Sequence, residues 1–249
     1  MSSYNNSPYK VIPTELYSAY SMNGKNPILD MWFDNRDSLE VPTWTHTYVS
    51  EFVANFTPSN IKQNTHGYEP YGNASRWILS ALEKFSIVGK RVAVVGSLTP
   101  WIEAILLNMG NTVTTVEYNV PTVEYPGLTA ISYDAFVESS ELYDAIVTYS
   151  SVEHSGLGRY GDPLDPDGDL KTMNAICRHL IDKGTLVWGA PVGHDALVWN
   201  AHRIYGSLRL PLLFSGFKEL EWIDFNKSQL LSLPLSRNSV NPVVVLEKI

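Results

Sequence analysis

The sequence is short of several things that would otherwise decide its class. It has one cysteine, Cys177, in 249 residues. That count excludes a disulfide framework and a cysteine-rich zinc site. Cys177 falls in an apolar helical pattern, so it reads as a buried structural thiol. Basic residues are also few: 18 Lys and Arg stand against 26 Asp and Glu, a net charge of −8. With no basic run anywhere, the chain lacks the cations that displace counterions from a nucleic acid backbone. No apolar run reaches ~18 residues, the length at which a membrane span becomes a candidate. The opening MSSYNNSPYK holds no apolar core of a secretory signal. The chain therefore reads as soluble and cytoplasmic, with a small-molecule or glycan partner rather than nucleic acid or membrane. In that compartment the Asn-x-Ser/Thr triplets at Asn5, Asn55, Asn73 and Asn226 are chance matches.

What is present suits an ordinary globular core, with 44% hydrophobic and 18% charged residues. Residues 1–87 are rich in Tyr, Trp, Asn and Pro and weakly periodic. They read as a partly irregular N-terminal cap ending in one helix, SRWILSALEKF (75–85). There Trp77, Ile78, Ala81, Leu82 and Phe85 fall at helical spacing, and Ser75 is the N-cap. Trp32, Trp44, Tyr68, Tyr71 and Trp77 either pack the cap against the core or stack on a flat ligand, and packing is the plainer use.

From residue 88 to 249 strands and helices alternate. Strands are expected at 91–96, 112–119, 128–134, 143–150, 185–191, 217–225 and 241–249, and helices at 100–110 and 169–184. This order predicts an α/β fold: a Rossmann-like sheet of about seven mainly parallel strands with flanking helices. The last two strands lack a long helix between them and suit an antiparallel hairpin at one edge.

Ligands of such sheets lie beyond the carboxyl ends of the strands. Gly96 closes the first strand and permits a tight turn, with Ser97 beside it. The pattern G-x-G-x-x-G is absent, which weighs against a pyrophosphate cofactor. Glu117 ends the second strand 21 positions after Gly96, where a carboxylate accepts from ribose hydroxyls. Asp134 ends the third, within reach of an adenine amino group.

The degenerate glycine loop, the acidic end of the second strand and YDAIVTYSSVEH (143–154) resemble the class I S-adenosylmethionine-dependent methyltransferases over residues 88–249. SSVEHSGLGRYGDPLDPDGDL (150–170), PVGHDALVWNAHRIYG (191–206) and RLPLLFSGF (209–217) are similar to a poorly characterised family with a methyltransferase-like core. The resemblance implies transfer of a methyl group from S-adenosylmethionine to a hydroxyl of a small polar acceptor, a sugar or glycan above all, with S-adenosylhomocysteine as product. It also implies that Gly96, Ser97 and Trp101 line the methionine side of the cofactor, with Ser151 and Glu153 completing the pocket.

Methyl transfer to a hydroxyl needs an aligned oxygen and a proton acceptor. His154, just past the fourth strand, is the first candidate base, and His202 the second. Arg159, Tyr160 and Asp162, with His194, Asn200 and Arg203 beyond the fifth strand, offer donors and acceptors to the acceptor molecule. Asp165, Asp167 and Asp169 imitate the rhythm of a calcium loop. Its twelfth residue is Ile176, where an EF-hand requires glutamate. No metal ligands are assigned, and a Mg²⁺ on Asp162 or Asp165 is the disfavoured reading. Asp169 suits the start of the next helix, where a carboxylate meets free amides. Two rivals stay open. One is a non-catalytic binding or scaffold subunit with this fold, which the degenerate loop permits. The other is a nicotinamide-dependent sugar-modifying enzyme, which lacks the glycines and the Tyr/Lys pair it needs.

Overall fold

The computed structural model describes residues 8–36, 41–67, 71–237 and 239–249. In the N-terminal stretch the chain forms α1 (Thr14–Tyr20), β1 (Ile28–Met31), β2 (Thr43–Trp44), α2 (His46–Asn55), α3 (Pro58–Gln63) and α4 (Ala74–Lys84). Three of these helices escape a periodicity search because they are short or weakly amphipathic. Side-chain caps at Thr45 and Thr57 start α2 and α3. The expected helix at 75–85 is α4, with Asn73 rather than Ser75 at its N-cap. Ser75 lies inside the helix and meets the His66 ring at 3.2 Å. Tyr68 lies outside the described residues.

Seven strands build the main sheet: β3 (Arg91–Val95), β4 (Thr112–Glu117), β6 (Leu128–Ser132), β7 (Tyr143–Tyr149), β8 (Leu180–Gly189), β11 (Phe217–Ile223) and β12 (Val243–Lys248). Their spatial order is β11-β12-β8-β7-β3-β4-β6. Only β12 runs against its neighbours, giving the expected hairpin at one edge. A short β5 (Thr122–Val123) pairs with β2. A separate small sheet joins β1 to β9 (Ala196–Asn200) and β10 (His202–Ile204).

Alternation along the strands divides the core into two layers. Val92, Val94, Ala145, Val147, Val243 and Val245 pack under α2, α4 and α5 (Trp101–Asn108). Ala93, Val95, Ile146, Leu186, Trp188, Val244 and Leu246 face the opposite way, toward α6 (Tyr133–Glu138), α7 (Gly168–Arg178), α8 (Leu210–Leu213) and α9 (Lys227–Leu231). The apolar run at 92–95 is thus covered on both faces, as parallel strands require. No helix among the described residues is long and apolar enough to cross a membrane.

Two boundaries differ from expectation. The helix expected over 169–184 ends at Arg178, because Leu180 already pairs with Tyr143 and the sheet takes the following residues into β8. The third strand stops at Ser132, whose hydroxyl accepts from Ala135 N–H and starts α6, so Asp134 stands in the first turn of a helix.

Candidate active site

The chain leaves β3 for β4 and β6 on one side and returns to β7 and β8 on the other. The strand order therefore reverses beside β3, and in sheets of this kind the ligand crevice lies at such a switch point, here the carboxyl ends of β3, β4 and β7. Gly96 turns out of β3 at φ +83°, and a Cβ there would come within 1.8 Å of Ser151 Oγ. Only glycine lets the ends of β3 and β7 close to this distance.

Ser97 N–H donates to Glu117 Oε1, and Tyr118 N–H donates to Glu117 Oε2 at 3.1 Å. A carboxylate offers about four acceptor positions, so two remain for hydroxyls in the crevice. Burial raises the Glu117 pKa, opposed by these two amides. Beside it, the rings of Tyr118 and Tyr133 lie 5.0 Å apart, and Asp134 next to them is exposed. Neither tyrosine carries a sequence signal of its own, although each adjoins an acidic residue. Trp101 is buried at the start of α5 among Phe56, Tyr71 and Tyr149.

Behind Ser97 lies a carboxyl that the sequence reading missed, Glu103, fully buried in α5. Thr115 Oγ1 donates to its Oε1 at 2.8 Å, and Ser97 Oγ lies 3.0 Å from its Oε2. The Ser97 hydroxyl also reaches Thr99 O at 2.9 Å. One hydroxyl hydrogen cannot serve both, so the network is satisfied when Glu103 carries a proton and donates it to Ser97 Oγ. Burial pushes Glu103 up to about 7, which favours that form.

The two candidate bases, 48 positions apart in the chain, come together. The His154 and His202 rings lie 6.5 Å apart, and Tyr160 packs on His154 at 5.6 Å. His154 Nδ1 stands 2.6 Å from the carbonyl oxygen of Ala201. A carbonyl only accepts, so the ring hydrogen sits on Nδ1 and Nε2 keeps a lone pair. Burial, with the nearby Arg159 charge, lowers the His154 pKa to about 3. Glu153 Oε1 is 3.7 Å from Nε2. Glu153 is buried, its Oε2 has no hydrogen-bond partner, and burial pushes its pKa up to about 7. His202 is shifted down as well, mainly by burial.

Other polar residues prove to hold the scaffold. Asp162 gathers its own loop, accepting from Gly156 N–H at 2.7 Å, Gly158 N–H at 3.2 Å and Tyr160 N–H at 3.3 Å. Arg203, nearly fully buried, donates to the carbonyls of Glu153, Ser155, Asp165 and Pro166. Asn200 is fully buried, and its side-chain amide pairs both ways with the Phe33 backbone, at 2.8 and 3.0 Å. It anchors the segment after β1 rather than facing the crevice. His194 is exposed beside a cleft with Lys25, Ser207 and Leu208.

The acidic run does not converge on a cation. Asp165 takes Asp167 N–H and pairs with Lys171. Asp169 does stand in the first turn of α7, but it turns inward to the Arg209 guanidinium, at 2.8 and 2.6 Å. Tyr205 donates to it at 3.2 Å, and Arg203 lies 3.6 Å away. Burial acts to raise the Asp169 pKa, but the two arginines outweigh it and hold the carboxylate ionised. Arg209 gave no signal in sequence because its partner is 40 residues away. Among the described residues no three His, Cys, Asp or Glu side chains are placed to share a metal ion.

A family profile, described as a Caenorhabditis protein of unknown function, DUF268, matches residues 89–243. No protein of curated function matches the chain by sequence. Among solved structures, the chain is similar to the 1,6-didemethyltoxoflavin-N1-methyltransferase of Burkholderia thailandensis, solved with 1,6-didemethyltoxoflavin and S-adenosylhomocysteine. That match has 15% identity and a TM-score of 0.52 over 81% of this chain and 89% of the other. It is also similar to the N-methyltransferase NodS of Bradyrhizobium japonicum WM9 in complex with S-adenosylhomocysteine. There identity is 13% and the TM-score 0.50, over 82% of this chain and 98% of the other. At these identities the likeness shows the fold, that of the class I methyltransferases.

Proposed function

Because the chain belongs to the DUF268 family and carries the class I methyltransferase fold, we propose that it transfers a methyl group from S-adenosylmethionine to a hydroxyl of a small polar acceptor, a sugar or glycan. The observation that carries this reading is Glu117, held by Ser97 N–H and Tyr118 N–H at the mouth of the crevice with acceptor positions to spare.

The residues present fit such a cofactor. Gly96 and Ser151 form the floor at the switch point, Glu117 takes the ribose hydroxyls, and Tyr118 and Tyr133 offer flat walls to a purine beside Asp134. Trp101, from the first turn of α5, backs the methionine side. Bound there, the cofactor supplies a methyl group already activated by its sulfonium.

The remaining task is to take the hydroxyl proton. His154 is held by Ala201 with Nε2 unprotonated, and Glu153 lies behind that nitrogen at 3.7 Å. As a hydroxyl acceptor took the methyl group and the carbon–sulfur bond broke with its electron pair to sulfur, the hydroxyl proton would pass to Nε2, and the Glu153 carboxylate would balance the imidazolium. His202 stands beside this pair as the second candidate base. The two solved relatives are N-methyltransferases, and an amine acceptor would present its own lone pair. A built histidine–carboxylate pair favours the hydroxyl.

Titration calorimetry with S-adenosylhomocysteine, followed by mass spectrometry of nucleotide sugars and glycans incubated with methyl-labelled cofactor, tests this. Saturable binding and a labelled methyl ether are expected. Failure to bind the cofactor product removes the reading, and binding without any labelled product returns the chain to a scaffold role.

A further inference from the structure

We infer that the acceptor carries an anionic group, a carboxylate or a phosphate, close to the methylated hydroxyl, and that Arg159 receives it. This rests on the reading above and narrows its substrate class.

Among the described residues, Arg36 pairs with Asp34 at 2.9 Å and Arg91 with Glu141. Arg203 and Arg209 both pair with Asp169, at 3.6 and 2.6 Å. Arg76, Arg178 and Arg237 are exposed and hydrated. Arg159 alone among the described residues is half-buried with no carboxylate in an ion pair with it, although its charge reaches the buried Glu153. A partly desolvated guanidinium without a counter-charge is costly, and such groups are ordinarily paired.

The guanidinium is also held in one place. Nε donates to Asn35 Oδ1 at 2.8 Å and Nη1 to Ala201 O at 3.1 Å. Its carbon lies 4.7 Å from the Phe33 ring centroid and 5.1 Å from that of Tyr160. Both hydrogen-bond acceptors are neutral, so the positive charge is undiminished. Of the five N–H donors of a guanidinium, the two bonds to described residues use one on Nε and one on Nη1, and the Nη1/Nη2 edge is the one that meets carboxylate or phosphate in two parallel bonds.

Its position ties it to the chemistry. The Ala201 carbonyl that receives Arg159 Nη1 is the one that orients His154. The Arg159 charge acts on Glu153, His154, Tyr160 and His202 alike. An anion on Arg159 would therefore set the acceptor next to the His154 ring. The chain as a whole carries −8, so it repels anions at long range. A fixed local cation is the means by which this site would accept one.

The test uses protein saturated with S-adenosylhomocysteine, titrated with glucuronate, glucose 6-phosphate and glucose in matched buffer. The charged sugars should bind about tenfold more tightly than glucose, and their order separates carboxylate from phosphate. Arg159→Gln should bring charged and neutral sugars to within about twofold, and Arg159→Lys should restore part of the preference. Asn35→Ala, which removes a neutral contact and keeps the charge, should keep the preference. That separates charge recognition from loop support. Equal binding of the three sugars, no binding of any, or a preference that survives Arg159→Gln overturns the inference. If S-adenosylhomocysteine itself fails to bind, the methyltransferase reading falls first. If it binds and the sugars are not discriminated, only the anion assignment falls.

Discussion

His154 donates its Nδ1 hydrogen to the carbonyl oxygen of Ala201 at 2.6 Å, across 47 residues of chain. That bond fixes the tautomer of the imidazole and leaves its unprotonated nitrogen 3.7 Å from Glu153 Oε1. Ala201 is buried between β9 and β10, so the small second sheet, rather than the loop that carries His154, sets the orientation of its ring.

His154→Ala should lower kcat about a hundredfold to ten-thousandfold, the usual worth of a positioned general base. His202→Asn should cost less, because it is His154 whose Nε2 has the Glu153 carboxylate at 3.7 Å to balance its charge. Rapid-quench measurement of the methyl-transfer step on both variants checks the ranking. A larger loss at His202 would exchange their roles.

The rate should rise with pH with a midpoint of about 7. His154, lowered to about 3, stays neutral throughout that range. Glu153 is the group that changes, and only its ionised form balances an imidazolium. Glu153→Gln should abolish the pH dependence between about pH 6 and about pH 8 and leave a uniformly slow enzyme. A profile of kcat against pH on both proteins decides it.

Glu117→Ala should weaken S-adenosylhomocysteine about tenfold to a hundredfold, the worth of two hydrogen bonds to a charged acceptor. Glu117→Gln should fall between, since it keeps one acceptor atom. Calorimetry gives both numbers, and unchanged affinity in the alanine variant would remove the ribose role.

Glu103 should make the protein less stable at higher pH. Its folded pKa of about 7 lies above the ordinary carboxylate value, so the native state holds a proton that the unfolded chain has released. The native state is therefore favoured below the ordinary value, and that advantage is lost as pH rises toward about 7. At ~1.4 kcal/mol per unit the span is about 3 kcal/mol. Glu117 and Glu153 shift in the same direction, so the informative quantity is the difference between wild type and Glu103→Gln. The glutamine keeps a donor for Ser97 Oγ and an acceptor for Thr115. Urea unfolding at about pH 5 and about pH 8 should show a smaller pH effect in the variant.

Arg209→Leu should destabilise the fold by about 3–5 kcal/mol, because it leaves the fully buried Asp169 with the more distant Arg203 as its counter-charge. The double variant Asp169→Leu/Arg209→Leu should be less damaged than the single one. Equal losses in both would place the effect in packing rather than charge.

Much of this molecule is written in local pattern. The run at 91–95, the Gly96 turn and the acidic end of β4 need only a few neighbouring residues to be recognised. The strands come from alternation and β-branched runs, and the edge hairpin from the lack of a helix long enough for a crossover. Boundaries were harder. Where α7 ends depends on Leu180 pairing with Tyr143, a contact that no local window contains.

The sequence by itself determined the layered α/β architecture, the crevice at the carboxyl ends of the strands and the placing of Glu117 and His154 beside it, because periodicity and turn chemistry act over short spans. Tertiary structure alone decided what the remaining polar side chains do. Asn200, Arg203 and Asp162 looked like ligand contacts and became scaffold, since buried donors and acceptors must find partners and theirs lie in the protein. Glu103 and Arg209 emerged only from the fold. Arg159, by contrast, meets only neutral acceptors among the described residues, Asn35 and Ala201.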